Sequence, residues 1–181
     1  EVQTLVAQIR ARWPKTRIIL RADSGFCRDE LMSWCEDNRV DYVFGFARNE
    51  RLRKLIETEM QQARAEHERT GQPARVFAEF DYETRDTWSR ARRVVAKAER
   101  IEGKENPRFV VTSLGAQDFP AQALYEKLYC QRGEMENRIK EQLSLFADRL
   151  STETMRANQL RLYLSSLAYV LVCALRRLAL Q

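Results

Sequence analysis

The order of apolar patterns along this sequence predicts an α/β fold: a sheet flanked by helices, with an antiparallel β-rich segment in its middle. Three observations carry the prediction. The first 47 residues alternate helix-like and strand-like patterns; residues 74–115 alternate apolar and polar positions with a period of two; and from Pro120 onward the spacing is helical again.

The elements follow in order. Val2, Leu5, Val6, Ile9 and Trp13 recur at helical spacing and Pro14 ends the pattern. The run "RIILRA" is continuous and β-branched enough for a strand covered on both faces, after which "DSGF" turns the chain into a helix, "RDELMSWCEDN", with Leu31, Trp34 and Cys35 on one face. "VDYVFGFA" is a second apolar strand, so helix, strand, helix, strand implies a mostly parallel sheet with crossover helices. "NERLRKLIETEMQQARAEHERTG" reads as a charged, exposed helix stopped by Gly71 and Pro73. Then Val76, Ala78, Phe80 and Tyr82 alternate with Phe77, Glu79, Asp81 and Glu83, and "WSRARRVVAKAERI" and "RFVVTSL" follow as further strands, an antiparallel insertion over about residues 74–115. Two long helical stretches close the chain, and Gly133 within the first of them implies close approach of another backbone.

The totals narrow the class. With 181 residues the expectation is one domain, and a first residue of Glu1 with no basic-then-apolar leader predicts a piece of a longer protein that is not secreted. The charge-free run of residues 162–175 is shorter than the roughly 20 residues a bilayer span needs and is expected to be a buried helix. Four scattered cysteines without a Cys-x-x-Cys pair, and a single histidine, His67, on a charged helix, point to neither zinc nor disulfides and to a reducing compartment. The net charge of +5 favours a polyanionic partner or simply solvates helix faces.

Two short stretches carry chemistry. Asp23, in "RADSGF", places an acid where a buried strand should end, either as an Asx-type turn or cap, or as a carboxylate at a strand tip. More than a hundred residues later Tyr129, Arg132, Glu136 and Lys140 are spaced by three, four and four, one stripe of a single helix. A second stripe of Leu128, Met135, Ile139, Leu143, Phe146 and Leu150 would be buried beside it, and a half-buried Arg or Glu at that border needs a partner: each other, a metal or a phosphate. Helix-face salt bridges among Arg132, Glu136 and Lys140 are the plainer alternative.

"RADSGF" together with "YCQRGEMENRIKE" resembles the bacterial DDE-type insertion-sequence transposases, whose Tyr-x2-Arg-x3-Glu signature matches Tyr129, Arg132 and Glu136. The resemblance covers about residues 10–145. It implies an RNase H-like mixed sheet with flanking helices, the β-rich insertion preceding the catalytic glutamate helix, so that the chain is the C-terminal portion of a DDE catalytic domain. It further implies cut-and-paste transposition: phosphodiester cleavage and strand transfer with two magnesium ions, manganese being an alternative, held by Asp23 and Glu136. Arg132 would clamp a phosphate, Tyr129 would position the DNA backbone, and Lys140 is the nearest stand-in for a family lysine whose position is occupied here by Leu143. The family's first catalytic Asp would lie upstream of this chain. DNA is the implied partner, in a homodimer, without a membrane, in the bacterial cytoplasm on the nucleoid. An RNase H-like nuclease without strand transfer and an inactive DNA-binding remnant are the alternatives. Within the insertion, Trp88 with Arg90, Arg92 and Arg93 reads either as a basic, aromatic DNA-binding patch or as a hairpin in which Glu79, Asp81, Glu83 and Asp86 pair with the arginines and Trp88 packs the turn.

Overall fold

In the computed structural model, which describes residues 1–179, the chain divides into two compact units, Glu1–Cys130 and Gln131–Gln181. The first opens with α1 (Val2–Arg12), of which only Val6 is buried, while Leu5 and Trp13 remain exposed. Strand β1 (Ile19–Ala22) is followed by a single 3-10 turn, then by α2 (Asp29–Asp37), whose Asp29 and Glu30 suit the positive end of its dipole and whose Met32 and Cys35 are buried. Strand β2 (Asp41–Phe46) pairs with β1 in parallel, Ile19 beside Asp41 through Ala22 beside Phe44.

The stretch expected as one exposed helix is two, α3 (Glu50–Leu55) and α4 (Glu57–Thr70), broken at Ile56. It is not exposed throughout, because Leu52, Ile56, Met60 and Ala63 form a buried stripe under the charged face. Asn49 caps the first by accepting from the Leu52 N–H at 2.8 Å, and Gly71 ends the second in the left-handed conformation, φ 67°, that favours glycine.

Strands β3 (Ala74–Tyr82), β4 (Arg92–Ile101), β5 (Lys104–Glu105) and β6 (Arg108–Thr112) pair antiparallel, as the period-two pattern predicts. They are not set apart from the first two strands. β6 bonds directly to β2, Val43 opposite Thr112 and Phe46 opposite Phe109, so one six-stranded mixed sheet runs β1-β2-β6-β4-β3 with β5 on β4.

Side chains alternate across this sheet, and so does the core. Tyr42, Phe44, Val94, Ala96, Phe109 and Val111 pack with Met32, Cys35, Leu52, Ile56 and Met60 on one face. Val43, Val95 and Val110 pack with Leu114, Leu124 and Tyr125 on the other. Complete burial of a residue such as Phe44 contributes about 2–3 kcal/mol.

After β6 the chain forms one turn of α5 (Ala121–Ala123) and then a π-helix, Leu124–Tyr129. The predicted single helix therefore does not exist as such: Cys130 and Gln131 make a turn, and α6 (Arg132–Phe146) starts afresh in the second unit.

In that unit α6 pairs with α7 (Met155–Ala179). Hydrogen bonds and an ion pair cross their contact: Gln142 donates to Ser165 and Ser166, Tyr169 donates to Glu141 at 2.7 Å, and Arg176 binds Glu141. Both helices were expected to bury apolar stripes, and the structure corrects this. Met135, Ile139, Leu143, Phe146 and Leu150 are exposed, and so are Leu160, Leu164, Leu167, Leu171 and Leu178. Two helices that pack on one another along a single seam bury one side of each and leave other apolar residues exposed. By length and composition α7 is also sufficient to cross a membrane, because the apolar stretch runs beyond the charge-free residues 162–175.

Among the described residues, outside its own stretch of helix, no atom lies within 4 Å of where a Cβ on Gly133 would stand, so no other backbone approaches it. Gly133→Ala is therefore expected to stabilise the second unit by about 0.5–1 kcal/mol, the helix-propensity difference, read as a higher urea midpoint; a lower midpoint would reveal a contact at this site.

Candidate active site

The end of β1 sets Asp23 in the open. Its backbone is extended, and Oδ1 accepts the Gly25 N–H at 2.9 Å, capping the turn Ser24–Phe26. Asp23 is thus a turn former, and it is also an exposed carboxylate at a strand tip.

Beyond the paired residues Ala22 and Phe44, the next residues along the two parallel strands are Asp23 and Gly45. A Cβ on Gly45 would stand 2.6 Å from the Tyr129 hydroxyl, 3.1 Å from Ser24 N and 3.4 Å from the Asp23 carbonyl carbon. The bare glycine therefore lets the Tyr129 phenol reach down onto β2 beside the Asp23–Ser24 peptide. Arg21, half-buried and two residues before Asp23, donates from Nη1 to the Leu128 carbonyl at 2.9 Å. That carbonyl lies in the last turn of the π-helix, where carbonyls lack intrahelical partners, and π-helical turns occur frequently at functional sites. The Tyr129 ring lies 5.5 Å from Tyr125, which packs 5.8 Å from Phe77 and under the Lys97 ammonium at 5.4 Å. Tyr129 and the Asp23 turn, more than a hundred residues apart in sequence, thereby meet at one end of the sheet.

In the second unit Arg132 and Glu136 form an i,i+4 ion pair at 2.6 Å on a partly exposed face, and Lys140 is exposed one turn further on. The predicted stripe holds from Arg132 to Lys140; the count from Tyr129 runs across the turn at Cys130–Gln131 and does not describe one helix face.

The insertion residues have partners inside the fold. Trp88 is buried against Phe46 and Tyr82, with the Arg92 guanidinium over its ring at 5.6 Å. Arg92 is itself buried: Nε donates to Glu36 and Nη1 to Asp29, both at 2.7 Å, and Nη2 donates to Ser33. Tyr42 donates its hydroxyl to Glu36 at 2.7 Å. Arg93 binds Glu79 and the carbonyls of Leu114 and Phe119. A base stacking on Trp88, or a phosphate on Arg92 or Arg93, would have to displace these contacts. Arg90 differs, its side chain being about half exposed and 3.4 Å from Glu36.

Burial would raise the Glu36 and Asp29 carboxyls, but hydrogen bonds, from Arg92 and Tyr42 to Glu36 and from Ser89 and Arg92 to Asp29, leave both below their ordinary values. Burial likewise pushes the Cys35 thiol to about 11 and Cys27 to about 12, so neither is a thiolate near neutrality.

No three His, Cys, Asp or Glu side chains cluster to hold a metal among the described residues. The carboxylates of Asp23, in the first unit, and Glu136, in the second, are hard oxygen donors of the kind magnesium takes, and each alone offers fewer donors than the ion needs.

Sequence reasoning did not single out Arg21 or Gly45. A glycine inside the otherwise β-branched and aromatic run "DYVFGF" is the available signal, since strand glycines mark close backbone approach. Nothing local marks Asp29 and Glu36 as the partners of Arg92, because they lie on α2, more than fifty residues earlier.

The mixed sheet and its flanking helices are consistent with an RNase H-like α/β fold. Over residues 1–181 the chain matches the family described as Transposase DDE domain group 1, and it belongs to that family. Searches of curated proteins and of solved structures gave no match. The family is one of DNA transposases that typically use divalent metals.

Proposed function

We propose that this chain supplies two of the three catalytic carboxylates of a cut-and-paste transposase, Asp23 and Glu136, the third belonging to an upstream segment. The observation that carries the reading is the meeting of Tyr129, first residue of the glutamate signature, with the Asp23 turn over Gly45. Two magnesium ions, or manganese, would serve the complete enzyme by activating the attacking oxygen and stabilising the leaving one.

The chain's own side chains have narrower tasks. Asp23 and Glu136 present carboxylate oxygens. Arg132, now paired with Glu136, exchanges that partner for a DNA phosphate when Glu136 takes up its role, and a fork of donors suits either anion. The Tyr129 hydroxyl and the Lys140 ammonium contact the DNA backbone, positioning it without reading sequence. From the insertion we assign Arg90 to DNA, since its guanidinium is the accessible one of the three arginines. The working assembly is a homodimer on paired element ends, in the bacterial cytoplasm and nucleoid, with no membrane partner.

The test uses the full-length protein and a plasmid carrying the element's own ends, with magnesium. Nicked and then joined DNA is expected. Glu136→Gln is expected to reduce both products by at least about 10²–10³-fold, the scale of removing one electrostatic group from an active site, while band-shift binding persists. Nicking without joined product would favour a simple nuclease, and no nicking by the full-length protein would defeat the proposal.

A further inference from the structure

The functional reading gives roles to Asp23 and Tyr129 and none to the two residues that bring them together. Gly45 sits inside a strand, where glycine forfeits side-chain packing and costs backbone entropy. Its backbone has no positive φ to require glycine, so the requirement is one of space. That space is occupied from two sides, by the Tyr129 hydroxyl at 2.6 Å and by the Asp23–Ser24 backbone at 3.1–3.4 Å from the position a Cβ would take. Any side chain at this position must move the phenol, the turn, or both. Arg21 holds the other end of the same contact: it lies on β1 two residues before Asp23, so both point to one face of the strand, and it grips the Leu128 carbonyl at 2.9 Å, one residue before Tyr129.

We propose that Gly45 and Arg21 are positioning residues that together seat the Tyr129 phenol against the Asp23–Ser24 peptide, and so fix the direction in which the Asp23 carboxylate leaves β1. Arg21 sets the height of the π-helix over the sheet through its main chain, and Gly45 sets how far the phenol descends. The proposal rests on the reading of Asp23 as a catalytic carboxylate. It assigns no chemistry to either positioning residue.

The experiment compares the full-length wild type with Gly45→Ala, Tyr129→Phe, the Gly45→Ala/Tyr129→Phe double variant and Arg21→Ala, measuring kcat and KM for DNA cleavage and the thermal midpoint of each. Gly45→Ala and Arg21→Ala are expected to lower kcat by about tenfold or more, with KM for DNA held within about twofold, because a small misplacement at the reacting centre acts on turnover. Removing the phenol oxygen removes the atom that the new methyl would meet. The remaining 3.1 Å approach to Ser24 N needs a shift of only a few tenths of an ångström. The double variant is therefore expected to match Tyr129→Phe alone in kcat and midpoint, a non-additivity that a general loss of packing would not produce. Multiplying losses in the double variant, or a Gly45→Ala enzyme with wild-type kcat, would overturn the proposal. Asp23→Asn in the same assay separates the two failures: an active Asp23→Asn enzyme defeats the functional reading, whereas an inactive one beside a wild-type Gly45→Ala enzyme defeats the positioning proposal alone.

Discussion

Asp23→Asn is expected to abolish DNA cleavage, by at least about 10²–10³-fold, while leaving the fold and the 3-10 turn intact. The substitution separates the turn cap that Asp23 makes from the carboxylate charge that the proposed function requires of it. Asparagine keeps an amide oxygen where Oδ1 accepts the Gly25 N–H at 2.9 Å, so the turn retains its cap. It removes the negative charge that a metal-dependent phosphoryl transfer needs at the strand tip. An unchanged thermal midpoint with lost cleavage assigns Asp23 to chemistry. Asp23→Ala is the companion measurement, since it removes cap and charge together and should add about 0.5–2 kcal/mol of destabilisation to the same loss of activity. Full cleavage by Asp23→Asn would return the residue to being a turn former and nothing more.

Arg92→Ala is expected to destabilise the first unit by about 3–5 kcal/mol, a large share of the roughly 5–15 kcal/mol that holds a domain together. The loss comes from what is left behind. Glu36 and Asp29 both lose their guanidinium partner, Ser33 loses a donor, and the ring of Trp88 loses the cation above it. Urea unfolding at pH 7 measures the difference, and its dependence on pH identifies the cause. In the wild type both carboxyls titrate below their unfolded values of about 4, so their contribution is complete above that pH and fades as pH falls through the lower folded values. In Arg92→Ala the desolvation of Glu36 is no longer opposed by the guanidinium, so its carboxyl titrates higher and acid relieves the strain of burying a charge. The gap between the two proteins should therefore narrow from pH 7 to pH 3. A constant gap would mean that lost packing, not unpaired charge, sets the cost.

Much of the local structure around the candidate site was legible because its signals are local. An acid in a Ser-Gly turn after a β-branched run predicts a strand tip, and the structure has one at Asp23. The spacing of Arg132, Glu136 and Lys140 predicts a helix face, and α6 carries it. The extension of that stripe back to Tyr129 failed, since spacing cannot see where an α-helix gives way to a π-helix and a turn. The buried apolar wall expected of the last two helices failed for another reason: hydrophobicity states that a face favours cover, not which neighbour supplies it. Trp88 and Arg92 left two readings open in sequence, and the deciding partners, Asp29 and Glu36, come from a helix that the hairpin pattern does not include.

By itself the sequence determined the order of helical and strand-forming stretches, the parallel pair β1 and β2, the antiparallel strands that follow, and the resemblance to the DDE transposases, because periodicity and motif are properties of neighbouring residues. Only the tertiary structure decided that β6 joins the antiparallel strands to β2 in one sheet, that Arg92 lies inside the fold, and that Gly45 admits Tyr129 to the Asp23 turn. Each of these is a contact between distant segments, fixed by which atoms can share a limited space, and no local pattern encodes it.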